Sequence, residues 1–173
     1  GVDRSAEIVK SLSYFTTRNS EEQVECDVHE TVNNCLVILG SQLGSRIQIR
    51  KNFATVKPFF LCNESMLHQA FLNIFTNSIQ AIEGDGVISI QTQVRKGIFE
   101  MHIEDNGYGI PKEILSRIMD PFYSTKGPDK GTGLGLSISY QIFRDAGGSL
   151  EIDSEPHKGT RVMLHLPLCR QIE

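Results

Sequence analysis

Long apolar runs are missing from this chain. No stretch approaches the roughly 20 residues that a membrane-spanning helix needs, and the opening GVDRSAEIVKSL is too polar and acidic for a signal peptide. Paired cysteines are missing too. Cys26, Cys35, Cys62 and Cys169 are scattered, with no CxxC and no metal-like spacing to the five histidines. They read as reduced thiols in or near a core. A basic excess is absent: the formal net charge is -4, which removes the main electrostatic argument for nucleic-acid binding. Internal repeats and low-complexity tracts are absent as well. A cytoplasmic location is expected, either free or as the cytoplasmic part of a longer membrane-bound protein.

What is present is an ordinary globular balance, 39% apolar and 22% charged over 173 residues, enough for one domain with a core and a short appendage. Residues 1–18 read as a helical piece with Val2, Ala6, Val9, Leu12 and Phe15 on one broad face, and 19–23 as a polar connection. A short strand over 24–28 precedes a helix over about 28–43, with Asp27 and Glu30 as a capping box and Gly44 at its end. Arg46 to Phe53 alternates as a strand, Phe59 to Cys62 is a second apolar stretch, and Asn63 is an N-cap for a long helix over 64–83. Strands over 87–94 and 98–105 form the clearest hairpin. Pro111 opens a short helix to about Ile118, residues 119–135 are irregular, and a helix over about 134–146 closes at Gly147 and Gly148. A second hairpin ends the fold, with a tail over 169–173. Helices and antiparallel strands come in clusters, so the expected class is α+β: a two-layer sandwich, one mixed and largely antiparallel sheet with helices on one face.

Three segments carry chemistry. In the helix over 64–83, Gln69, Asn73, Asn77 and Gln80 recur at spacings of three and four beside an apolar stripe of Leu67, Ala70, Phe71, Ile74, Ser78, Ile79 and Ile82. Asparagine is a poor helix former, so two of them one turn apart suit either a wetted edge or carboxamides aimed at a metal or polar ligand. Asp105, at a strand end, precedes Gly107 and Gly109. A carboxylate there accepts from a ligand amine while the glycines let backbone lie against a flat ring, although the same pattern also makes an ordinary turn. Gly131, Gly133 and Gly135 enter a helix, with Lys126 and Lys130 upstream, an arrangement suited to phosphate. No GK[ST] follows, so this is not a Walker loop, and no strand precedes it as a dinucleotide fingerprint requires.

In this order, the segments resemble the histidine-kinase branch of the GHKL ATPases. NESMLHQAFLNIFTNSIQA (63–81) resembles the N box, and DNGYGI (105–110) the first glycine box. DPFYSTK (120–126) resembles the F box, GTGLGLSI (131–138) the second glycine box, and 147–168 the closing strands with Gly159 and Thr160. Residues 24–168 then correspond to an ATP-binding catalytic domain, and 1–18 to the last turns of a dimerisation hairpin. The resemblance implies ATP and Mg²⁺ as ligands. It implies that Asp105 accepts from the adenine amine with help from Thr160, that Asn77 holds Mg²⁺, and that Asn73 supports the metal or its waters. Gly107, Gly109 and Ile110 line the adenine pocket. Phe122 anchors a mobile lid over about 111–135. Lys126, Gly131, Thr132, Gly133, Leu134, Gly135 and Leu136 lie near the phosphates. Where many relatives carry a basic residue near the N-box end, this chain has Gln80.

The implied reaction is transfer of the ATP γ-phosphoryl group to a histidine. None of His29, His68, His102, His157 and His165 sits in a helical HExxxP-like setting, so the acceptor is expected on a dimerisation domain outside this chain. The implied partners are that domain, a homodimeric full-length protein and a response-regulator receiver. An anti-sigma-type serine kinase and a degenerate binding or scaffolding module are the alternatives. A chaperone-type hydrolase would carry a glutamate where Asn73 stands.

Overall fold

The computed structural model describes residues 22–120, 123 and 135–172. The helical piece expected over 1–18 lies outside them. The described elements are β1 (Val24–Asp27), α1 (Val28–Ile38), α2 (Gly40–Leu43), β2 (Ile47–Asn52), β3 (Lys57–Cys62) and α3 (Glu64–Ala81). Then come β4 (Gly86–Arg95), β5 (Ile98–Asp105), α4 (Lys112–Leu115), α5 (Gly135–Asp145), β6 (Ser149–Glu155), β7 (Gly159–Pro167) and β8 (Arg170–Ile172).

Local chemistry sets most boundaries. The Asp27 carboxylate accepts from the Glu30 N–H at 3.2 Å and starts α1; the Asn63 carboxamide accepts from the Met66 N–H at 3.0 Å and starts α3. The helix expected over 28–43 breaks at Leu39. Gly40, a weak helix former, follows it, and the chain re-aims there so that Leu39 and Leu43 both stay buried. α3 ends at Ala81, earlier than expected, because Ile82 turns extended and buries its side chain. Lys96 and Gly97 both take positive φ, the two-residue turn that matches strand twist, and join β4 to β5.

A five-stranded sheet runs β2-β4-β5-β7-β6, with β2 parallel to β4 and the other pairs antiparallel. The expected mixed sheet is therefore present. A second, three-stranded antiparallel sheet, β1-β3-β8, accompanies it. The tail expected over 169–173 supplies its third strand, because β3 has a free edge for β8 to pair with. No described helix is long and apolar enough to cross a membrane.

The inner face of the large sheet is read most easily by rows. Ile90, Ile103, Val162 and Ile152 lie side by side on β4, β5, β7 and β6; Thr92, Met101, Leu164 and Leu150 form a neighbouring row. These side chains pack with α1, α3 and α5, where Phe71 meets Phe143 edge-on at 5.7 Å between ring centroids. The last row is different. Beside Ile88 it holds Asp105, Thr160 and Ser154. The apolar face turns polar at this one rim, and the loop after β5 leaves from it. On the opposite face Gln91, Glu100, His102, Glu104, Arg161 and His165 are not buried. That alternation is how one side of an antiparallel sheet faces water.

Candidate nucleotide site

Asp105 is the last residue of β5 and is only 8% exposed. Its Oδ1 accepts from the Gly107 N–H at 2.9 Å. Burial pushes its carboxyl above the ordinary carboxylate range, and donors from the Gly107 N–H, the Ser78 side chain and the Thr160 backbone pull the other way. These donors are all neutral. The rim thus carries a carboxylate that is out of water and has no cation among those partners, a charge suited to polarised N–H groups.

The loop that follows is shaped by close approach. A Cβ on Gly107 would stand 2.5 Å from the Ala81 carbonyl oxygen, and one on Gly109, at φ +71, would stand 2.0 Å from the Glu155 carbonyl oxygen. No other residue fits at either place. The Tyr108 N–H donates to the Ala81 carbonyl at 3.0 Å and the Tyr108 carbonyl accepts from the His157 N–H at 2.7 Å. The loop is clamped between the end of α3 and the β6–β7 turn. The Tyr108 ring stays 41% exposed, as a rim aromatic should be. The Ile110 N–H ends the turn on Ser154 Oγ at 2.8 Å.

α3 forms the second wall. Gln69, Asn73 and Asn77 share a half-buried stripe, and Gln80 is exposed. Gln69 Nε2 donates to Asn73 Oδ1 at 2.9 Å, and Asn73 Nδ2 donates to the Gly135 carbonyl at 3.1 Å. Asn73 therefore faces the seam between α3 and α5. Ser139, fully buried, closes the same seam: its Oγ stands 2.9 Å from the Gly135 carbonyl and 3.2 Å from that of Ala70. Asn77 lies one turn beyond Asn73 and next to Ser78, the residue that reaches Asp105. Leu136 is half-buried in the first turn of α5. Phe122, Lys126, Gly131, Thr132, Gly133 and Leu134 lie outside the described residues.

Among the described residues no group of three or more His, Cys, Asp and Glu side chains could hold a metal ion. The donor set of this wall is carboxamide. It suits a hard cation whose remaining ligands are phosphate oxygens and water, as Mg²⁺ prefers.

Sequence reasoning did not single out Ser154 and Ser139, and it read Ser78 only as a member of the core stripe. The available signal was a hydroxyl at a buried position in an otherwise apolar pattern. The histidines sit as structure: His29 stacks on Phe53 with centroids 4.3 Å apart, His68 faces its own helix backbone, and His102 and His165 lie in strands. Cys26, Cys35 and Cys62 are buried free thiols, Cys35 pushed up to about 12 by burial, and Cys169 is exposed.

Comparison with known proteins agrees with this geometry. The family model described as histidine kinase-, DNA gyrase B-, and HSP90-like ATPase matches residues 62–170. Sporulation kinase C of Bacillus subtilis (strain 168) is 41% identical over 125 residues, covering 72% of this chain and 29% of the relative. A mycobacterial sensor histidine kinase, MprB, superposes with a TM-score of 0.73 at 25% identity, covering 84% of this chain and 97% of that one. Histidine kinase ThkA, solved in complex with response regulator protein TrrA, shares the fold with a TM-score of 0.75 at 19% identity, over 96% of this chain and 49% of that one. The chain spans less than half the length of the first curated relatives it matches. By family match, by relatives and by fold, this chain belongs to the histidine kinase-, DNA gyrase B- and HSP90-like ATPases, on their sensor histidine kinase branch.

Proposed function

We propose that this chain is the ATP-binding catalytic domain of a two-component sensor histidine kinase, and that it passes the γ-phosphoryl group to a histidine outside residues 1–173. The observation that carries the reading is Asp105: a buried carboxylate with neutral partners at the polar end of an apolar sheet face.

In this reading Asp105 accepts from the amino group of adenine, and Thr160 stands beside it as a second polar contact. Gly107, Gly109 and Ile110 give the ring a backbone wall. Asn77 holds Mg²⁺ through its carboxamide oxygen. The metal, when bound, neutralises phosphate charge. Gly131, Thr132, Gly133, Leu134, Gly135 and Leu136 lead into α5, whose N-terminal amides favour phosphate. Lys126 offsets phosphate charge where Gln80 does not, and Phe122 anchors the segment between. The chain contributes position and charge more than covalent chemistry. Asn73, one turn before Asn77, supports the metal or its waters, and its bond across the α3–α5 seam positions α5 as well.

The partners proposed are the dimerisation domain that carries the acceptor histidine, with residues 1–18 as the end of its second helix, a second copy in the full-length dimer, and a response-regulator receiver. The complex of ThkA with TrrA supports the last of these. The domain is proposed to work on the cytoplasmic side.

Calorimetry tests the site. Asp105→Asn should weaken ADP binding by on the order of 2–4 kcal/mol while the fold persists, the cost of a buried bond to a charged acceptor. Asn77→Ala should remove most of the Mg²⁺-dependent part of ATP affinity and spare adenosine. Unchanged ADP affinity in the first variant sinks the adenine assignment; unchanged metal dependence in the second moves the metal elsewhere.

A further inference from the structure

Ser154 lies at 6% exposure in the last row of the sheet's inner face. Its neighbour in the row is Thr160, and the neighbour of Thr160 is Asp105. The Ser154 hydroxyl has three polar contacts. The Ile110 N–H donates to Oγ at 2.8 Å, Oγ–H donates to the Gly159 carbonyl at 2.9 Å, and Thr160 Oγ1 stands 2.8 Å away.

A serine hydroxyl has one proton and two lone pairs. Here the proton goes to Gly159 and one lone pair takes the Ile110 N–H. Only a lone pair remains for Thr160. Thr160 is therefore the donor in that pair, and its proton points at Ser154. What its hydroxyl offers elsewhere is lone pairs alone. The Asp105 carboxylate beside it also offers only lone pairs.

We infer that Ser154 is a specificity-determining positioning residue. By taking the Thr160 proton it makes the rim of Asp105 and Thr160 a purely accepting edge, which admits a 6-amino purine and disfavours a 6-oxo purine. The inference rests on the nucleotide-site reading above. An amino group has protons to give to such an edge, directly or through a water. A carbonyl at the same place sets lone pairs against lone pairs, and a site with fixed polarity rejects that mismatch. Without Ser154 the Thr160 hydroxyl loses its acceptor and is free to turn its proton to the ligand.

The test is calorimetry of ADP and IDP on the unaltered chain and on Ser154→Ala, Ser154→Thr and Thr160→Val. The unaltered chain prefers ADP. Ser154→Ala narrows the ADP:IDP affinity ratio by about five- to tenfold, the scale of one hydrogen bond, and Ser154→Thr, which keeps the hydroxyl, restores most of it. A merely structural role would lower both affinities alike and leave the ratio unmoved. Thr160→Val leaves Ser154 bonded to Ile110 and Gly159, so it serves even where Ser154→Ala does not fold, and it narrows the ratio as well. An unmoved ratio in folded Ser154→Ala or in Thr160→Val overturns the inference, as does equal binding of ADP and IDP by the unaltered chain. Binding of neither nucleotide is a different result: it removes the nucleotide-site reading itself, and this inference with it.

Discussion

Asn73 Nδ2 donates to the carbonyl oxygen of Gly135 at 3.1 Å, so the middle of α3 is bonded to the first residue of α5. The two helices carry the N-box asparagines and the end of the second glycine box. Their seam is polar at this point and apolar elsewhere, with Phe71 against Phe143. A polar seam of this kind sets register between two helices.

Asn73→Ala breaks that bond and leaves Gln69 without its acceptor. Stability should fall by about 1–2 kcal/mol, read as a shift of the urea midpoint at constant slope. Ser139 holds the same Gly135 carbonyl, so combining Asn73→Ala with Ser139→Ala should give a non-additive total, with a coupling of at least about 0.5 kcal/mol. If Asn73→Ala leaves stability alone and instead removes the Mg²⁺ dependence of ATP binding, its carboxamide serves the metal and not the seam.

Arg46 closes the C-terminal end of α3. Its Nη1 donates to the carbonyls of Ile82 at 3.0 Å and Gly84 at 2.9 Å, and its Nη2 to that of Ile79 at 3.4 Å. The last turn of α3 has no basic residue of its own. A cation from the turn before β2 therefore caps carbonyls at this end and opposes the helix dipole. Arg46→Met should cost about 1–3 kcal/mol by urea unfolding. Arg46→Lys should recover only part, because an ammonium does not reproduce the guanidinium fork. Equal stability of all three proteins would mean that water caps the helix as well as Arg46 does.

His29 makes stability depend on pH. Its Nε2 lies 2.8 Å from Thr92 Oγ1, its ring stacks on Phe53, and burial lowers its pKa below the ordinary imidazole range, with the Asp27 carboxylate pulling the other way. The unfolded chain therefore takes up the proton first as pH falls. Stability should decline from about pH 6.5 downward and level off once the folded state also protonates. Thermal midpoints between pH 8 and 5 will show it, and His29→Gln should flatten the decline. A variant with the unaltered slope would assign the effect to other groups.

Where pattern is local, the sequence was legible. The hairpin of β4 and β5 follows from strict alternation and a Lys96-Gly97 turn, and Asp27 and Asn63 announced the starts of α1 and α3. The break at Leu39 was less visible, because the apolar spacing continues through Gly40 to Leu43. The small sheet was illegible for another reason. Its strands β1, β3 and β8 are short and pair across long stretches of chain, and no local signal encodes that. The site divides in the same way. Asp105, Gly107 and Gly109 stand out by their place at a strand end. Ser78, Ser139 and Ser154 look like small residues in apolar stripes until their partners on other elements are known.

The most direct measurement is phosphoryl transfer in trans. This chain, mixed with γ-labelled ATP and Mg²⁺, is combined with a separately made dimerisation unit that carries an acceptor histidine. None of its own histidines is set as an acceptor: His29 is stacked and half-buried, His68 faces its helix backbone, His102 and His165 lie in strands, and His157 lies in a turn at positive φ. The account predicts that the chain alone acquires no label and that the added unit acquires one that survives alkali and is lost in acid. Labelling should be slow, because cutting the covalent link removes the high local concentration, and it should vanish with Asn77→Ala. Self-labelling with that signature would place the acceptor inside this chain. A correct partner unit that is never labelled, although ATP binds well, would contradict the kinase account outright.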